Sequence, residues 1–107
     1  MSISKNWKAI TFSGAAGYEI KVNGEANVGL LTVQPKLEKR PMPGMNASIL
    51  QLNLLNANDA KPAEFKPVQY NEKLTKMDQY ASVNIFHNNK VIAEFTVTQQ
   101  QAAVANL

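Results

Sequence analysis

Residues 49–55 read ILQLNLL, with Leu50, Leu52 and Leu54 on one parity and Gln51 and Asn53 on the other. An apolar repeat of two marks a strand with one buried and one wetted face, because successive β side chains point to opposite sides of a sheet. The repeat recurs through the chain. It appears in WKAITF (7–12), in Tyr18, Ile20 and Val22, in Ala81, Val83 and Ile85, and in Val91, Ala93, Phe95 and Val97. No long stretch carries helical periodicity instead. Sheets with a single apolar face must cover one another, so the pattern predicts an all-β chain of two packed layers.

Turn signals divide these runs. SGAAG (13–17) separates the first two and reads as a turn. Asn23-Gly24 follows Val22 and is the strongest two-residue hairpin signal in the chain. It predicts a reversal there, with a return strand from about Glu25 to Gln34 that puts Leu31 and Val33 on the face of Tyr18. Residues 34–48 hold three prolines and a glycine, which exclude a regular helix or a central strand. Residues 56–67 form a second irregular connection, broken by Pro62 and Pro67. Leu74 and Met77 are three apart, which leaves one or two helical turns open between Asn71 and Tyr80. The total is six or seven short strands. Their count and spacing predict an immunoglobulin-like antiparallel β-sandwich, with a small β-barrel as the alternative. The Cys–Trp–Cys hallmark of immunoglobulin domains is absent. The 107 residues suffice for one domain with its own core, spanning 1–107, with a fraying tail from about 100.

The last hairpin carries the only histidine, His87. A simple two-residue turn at Asn88-Asn89 would set Val83 opposite Glu94 and bury the wrong face of one strand. A three-residue loop, His87-Asn88-Asn89, pairs Ile85 with Val91 and Val83 with Ala93, so that the apolar sets coincide. Asn89 then takes the positive φ, and His87 is a solvated residue opening a tight turn. In this register Phe86 lies opposite Lys90, on the face of Asn84 and Ile92 and away from the core.

Little in the composition points to catalysis. The chain has no cysteine, which excludes disulfides, thiolate metal sites and cysteine nucleophiles. One histidine gives no paired metal ligands, the acids are scattered and read as solvated surface, and no glycine-rich phosphate loop leads into a helix. The reading is a non-enzymatic protein with no metal and no cofactor. A net charge of +3, with eleven basic residues interleaved among eight acids, gives no specific nucleic-acid signal. No apolar run is long enough for a transmembrane segment, and no signal peptide opens the chain, so the localisation is left open between cytoplasmic and exported after processing.

Two features suit binding. The segment PKLEKRPMPGM (35–45) combines prolines that pre-order the backbone with local positive charge and adaptable methionines. Its Lys36, Lys39, Arg40, Pro41, Met42 and Pro43 are candidate partner contacts, suited to an acidic or groove-bearing partner. The alternative role for the segment is a structural crossover between sheets. Trp7 and Phe86 are candidate aromatic contacts. The sequence therefore predicts a protein-interaction module, an inhibitor or an assembly subunit, that engages another protein or forms homo-oligomers through exposed strand edges. Carbohydrate or small-ligand binding through surface aromatics is the alternative.

Overall fold

The computed structural model describes residues 3–15, 17–29, 32–41 and 48–100. They form eight strands: β1 (Ser4–Gly14), β2 (Gly17–Asn27), β3 (Lys36–Lys39), β4 (Ile49–Leu55), β5 (Phe65–Leu74), β6 (Ser82–His87), β7 (Lys90–Thr96) and β8 (Thr98–Gln100). One sheet has the order β5-β2-β1-β8 and the other β3-β4-β6-β7. The chain is an all-β sandwich of two four-stranded sheets.

The sheets are mixed rather than antiparallel, since β1 pairs with β8 and β4 with β6 in parallel. Between β4 and β6 the chain crosses to the opposite sheet to form β5, and a strand that returns by such a route lies parallel to its neighbour. The strand count exceeds the expected six or seven because two short edge strands, β3 and β8, are present.

The period-two runs build the core. Leu50, Leu52 and Leu54 of β4 and Val83 and Ile85 of β6 face Ile20 and Val22 of β2, all buried. Ala9 and Thr11 of β1 and Val68 and Leu74 of β5 extend this layer. Two clasps close its sides, where β1 lies against β7 and β3 against β5. On the first side the rings of Trp7 and Phe95 stack, with centroids 5.9 Å apart and planes 12° from parallel. On the second, polar side chains do the closing.

Several local expectations are corrected. The first reversal lies between Gly14 and Gly17, which pair with each other, in the SGAAG segment. Asn23-Gly24 is not a turn. β2 runs through it to Asn27, because Asn23 has a ladder partner on both sides, Lys8 and Gln69, and Gly24 pairs with Val68 of β5 where the β1 register shifts. The return strand to Gln34 is therefore absent; Val33 lies in coil and is 47% exposed, and Leu31 falls outside the described residues. β5 begins at Phe65 and includes Pro67, which an edge strand tolerates because one side of its backbone needs no partner. It runs to Leu74 and turns follow, so the helical option for 71–80 fails. Val68, Tyr70, Glu72 and Leu74 form the inward parity of this strand.

The β6–β7 hairpin has a two-residue turn, not three. His87 pairs with Lys90, and Asn88 and Asn89 take φ of 53° and 66°. Both central residues at positive φ is the turn whose twist matches that of the strands. The register problem is solved by a bulge. Phe86 pairs with Val91 but Ile85 with Ala93, leaving Ile92 as an extra residue. Beyond it Val83 meets Phe95, and the apolar faces coincide without a longer loop.

Candidate functional site

The segment proposed as a recognition loop is in its first half a strand. β3 hydrogen-bonds along β4, and its Leu37 is buried. Lys36 forms an exposed ion pair with Glu38 at 3.3 Å, and Lys39 pairs with Glu72 at 3.1 Å. Two of the three cations are thus balanced within the chain. Arg40 continues the ladder, its backbone N–H donating to the Gln51 carbonyl at 2.9 Å. Pro41 follows and is exposed. Met42 and Pro43 lie outside the described residues.

Arg40 is brought together with Phe86. Its guanidinium carbon stands 4.0 Å above the centre of the Phe86 ring. Nη1 donates to Asn53 Oδ1 at 2.8 Å and reaches Asn89 Oδ1 at 3.4 Å. The β4 and β6 register explains the meeting: Asn53 is the partner of Phe86, and both point to the outer face of their sheet. Val91, opposite Phe86, is 44% exposed on the same face. The outer face so assembled holds a fixed cation on an aromatic ring with an apolar neighbour.

Trp7 lies at the β1/β7 side, away from this face. Its ring is half-buried against Phe95, and its Nε1–H donates to Ser4 Oγ at 2.8 Å. A cleft of about 430 Å³ opens beside it, along Lys8, Ile10, Thr96 and Thr98.

The strongest electrostatic coupling was not visible in the sequence. Glu72 Oε1 accepts from the Tyr70 hydroxyl at 2.7 Å, and Oε2 accepts from the Tyr80 hydroxyl at 2.8 Å and from Lys39 Nζ at 3.1 Å. Burial pushes the Glu72 carboxyl up, but the hydrogen bonds from Tyr70, Tyr80 and Lys39 outweigh it and hold the group below its usual value. Burial likewise pushes both phenols up, and the Glu72 charge adds to that. The interaction with the Tyr80 hydroxyl, opposed by burial and aided by Glu72, raises Lys39. Glu72 is thus not solvated surface as its isolation in the sequence implied. Its three donors, the Lys39 cation among them, favour the charged carboxylate and so make it a poor general base. The signal that could have found it is the parity of Val68, Tyr70, Glu72 and Leu74, a carboxylate on the core side of an otherwise apolar row.

His87 is half-buried rather than free in solvent. Its Nε2 lies 3.0 Å from the Ala57 carbonyl oxygen, which only accepts, so Nε2 carries the proton. Clefts of about 450 and 330 Å³ open on the two sides of this contact. Among the described residues no group of His, Asp and Glu is placed to hold a metal ion. Nor is any helix among them long and apolar enough to cross a membrane. Comparison with protein-family models, with curated proteins and with solved structures yields no match.

Proposed function

We propose that the chain is a non-enzymatic protein-interaction module, an immunoglobulin-like sandwich that engages another protein through the outer face of the β3-β4-β6-β7 sheet. The observation that carries this reading is the Arg40 guanidinium fixed 4.0 Å over Phe86 and tied to Asn53. Arginine and aromatic residues dominate the energetics of protein interfaces, and a side chain already held in place loses little entropy on docking. Exposed Val91 extends the same surface. The cationic centre favours a partner with an acidic contact patch. The three hydrogen bonds that hold Glu72 in its charged form and the engagement of the His87 ring with a backbone carbonyl support a binding role over catalysis.

The test compares the wild-type chain with the Arg40→Ala/Phe86→Thr variant. A partner that binds the wild type with an affinity falling as salt rises, and that the folded variant binds at least about tenfold more weakly, supports the reading. Unchanged affinity of every captured partner for the variant overturns it.

A further inference from the structure

The loop at 56–59 and the turn at 87–90 face each other at one end of the sandwich, and the His87 contact with Ala57 joins them at the centre. We propose that the paired clefts beside this contact form a binding site for a neutral saccharide. The smaller cleft borders the Arg40–Phe86 surface through Asn53 and Asn89, and the site adds a second ligand class to the interaction reading.

Size comes first. At about 450 and 330 Å³ the clefts fall in the range that small ligands occupy, and they share Ala57, His87 and Asn88 as a common wall. Their chemistry is dominated by amides, with Asn58 and Asn88 on one side and Asn56 and Asn88 on the other. A carboxamide offers an acceptor oxygen and two donor hydrogens. A sugar hydroxyl likewise both donates and accepts, so it can meet the Asn88 amide and the remaining hydrogen and lone pairs of Asn56, whose Nδ2 donates to the Gln34 carbonyl, and of Asn58, whose Nδ2 donates to the Val28 carbonyl. Ile3 and Ile92 supply an apolar wall on one side for the C–H face of a ring.

Charge and shape decide against other small molecules. Asp59 and Lys90 contribute one charge of each sign to the same cleft, so an anion meets the carboxylate and a cation meets the ammonium. No Phe, Tyr or Trp side chain lines either cleft, and the one aromatic ring there, His87, is held edge-on to the Ala57 carbonyl by its Nε2, so the broad stacking platform that suits a nucleobase is missing.

The backbone that carries the amides is fixed before any ligand arrives. Among the described residues, four non-glycine positions take positive φ, and Asn56, Asn88 and Asn89 are three of them, at 63°, 53° and 66°. Such conformations persist where the surroundings enforce them, and they gather at ligand sites. Asn58 is pinned by its own backbone, whose N–H donates to the Asn27 carbonyl at 2.8 Å, and by the Ala60 N–H, which donates to Asn58 Oδ1 at 3.0 Å. Buried Asn27 fixes the end of the same loop, its Nδ2 donating to the Ala60 carbonyl at 3.2 Å. A rigid polar wall avoids the ordering cost that a flexible one would carry on binding.

The test is an NMR titration of the ¹⁵N-labelled full chain with glucose, galactose, mannose and N-acetylglucosamine and their linked trimers. Glucuronic acid serves as the charged comparison. The expected result is saturable movement of the Asn56, Asn58 and Asn88 side-chain amide signals, with a dissociation constant near or below about 1 mM for at least one neutral trimer. Asn88→Gly keeps the positive φ while removing the amide, and should weaken binding about tenfold with an unchanged melting temperature. Asp59→Ala gives an independent second variant with the same expected loss, and Lys73→Ala, on β5 of the other sheet, should leave sugar binding as it was. Absence of saturable shifts with every neutral sugar at roughly 20 mM overturns the proposal. So do shifts that survive in both cleft variants, and so does tighter binding of glucuronic acid than of its neutral counterpart.

Discussion

The Trp7 indole lies directly against the backbone of Gly24 on the neighbouring strand, in the space a side chain at position 24 would fill. Glycine in a strand interior ordinarily weakens it, so alanine would be the better strand residue on propensity alone. Here the methyl group overlaps the indole, and that ring is also clamped by Phe95 on its other contact. Gly24→Ala should destabilise the fold by about 1–3 kcal/mol, the usual cost of overpacking. Denaturant unfolding followed by Trp7 fluorescence measures this directly; a stabilised variant would show the indole free to move aside.

The β6–β7 turn makes a symmetric claim. Asn88 and Asn89 both sit at positive φ, where β-branched residues are strained. Asn88→Val and Asn89→Val should each cost about 1–3 kcal/mol. Glycine at either position should be neutral within about 0.5 kcal/mol. Thermal melts of the four variants settle the matter, and a mild Asn88→Val beside a damaging Asn89→Val would restore the three-residue loop.

The Glu72 clasp predicts a stability profile with two limbs. Its carboxyl is held below the ordinary value of 4.5, so its contribution is complete above that pH and is lost as pH falls through the folded value. Tyr70 and Tyr80 are pushed above 10.0 and Lys39 above 10.5, so their contribution is complete below about pH 10 and is lost as pH rises. Glu72→Gln should flatten the acid limb in urea titrations across pH. Glu72→Ala should cost about 1–3 kcal/mol at neutral pH by leaving the hydroxyl of buried Tyr80 without its acceptor. Lys39→Glu, which sets carboxylate against carboxylate, should destabilise clearly more than Lys36→Glu, whose exposed pair is worth little. Equal effects at 36 and 39 would count against the clasp.

Thr11 offers the opposite sign. Its side chain is fully buried on β1, and Oγ1 has no hydrogen-bond partner among the described residues. An unpaired hydroxyl in a core costs free energy that a methyl of similar shape does not. Thr11→Val should stabilise by up to about 1 kcal/mol. A loss of stability on chemical denaturation would reveal a partner for that hydroxyl.

The sequence carried the fold where local pattern and tertiary outcome agree. Leu50, Leu52 and Leu54 announce a core strand and form one. It misled where a long-range ladder overrides a local preference: Asn23-Gly24 has the chemistry of a turn, but β1 and β5 pair with it on both sides and Trp7 needs the missing side chain. The bulge at Ile92 was hidden for another reason. A register shift leaves the same parity signal as a longer loop, so the two cannot be told apart by counting. Of the candidate surface, Arg40 and Phe86 were each visible singly, but their stacking depends on the pairing of β3 with β4 and β4 with β6, which spans some of the longest connections in the chain. Tyr70 shares a strand with Glu72, but the hub was invisible because Lys39 reaches it from β3 and Tyr80 from beyond the end of β5.

The parallel pairing of β1 with β8 governs how the sandwich would respond to mechanical load. A tether pulling through the residues before Ser4 and after Gln100 drags two adjacent parallel strands in opposite directions along their common axis. The bonds joining Ile10, Thr11 and Phe12 to Thr98, Gln99 and Gln100 are then strained together in shear, whereas load across an antiparallel hairpin end peels its bonds one at a time. Three paired positions form a short patch, so the yield point depends on this small set of residues, and the first structure lost under tension is the junction that holds β8 to its sheet.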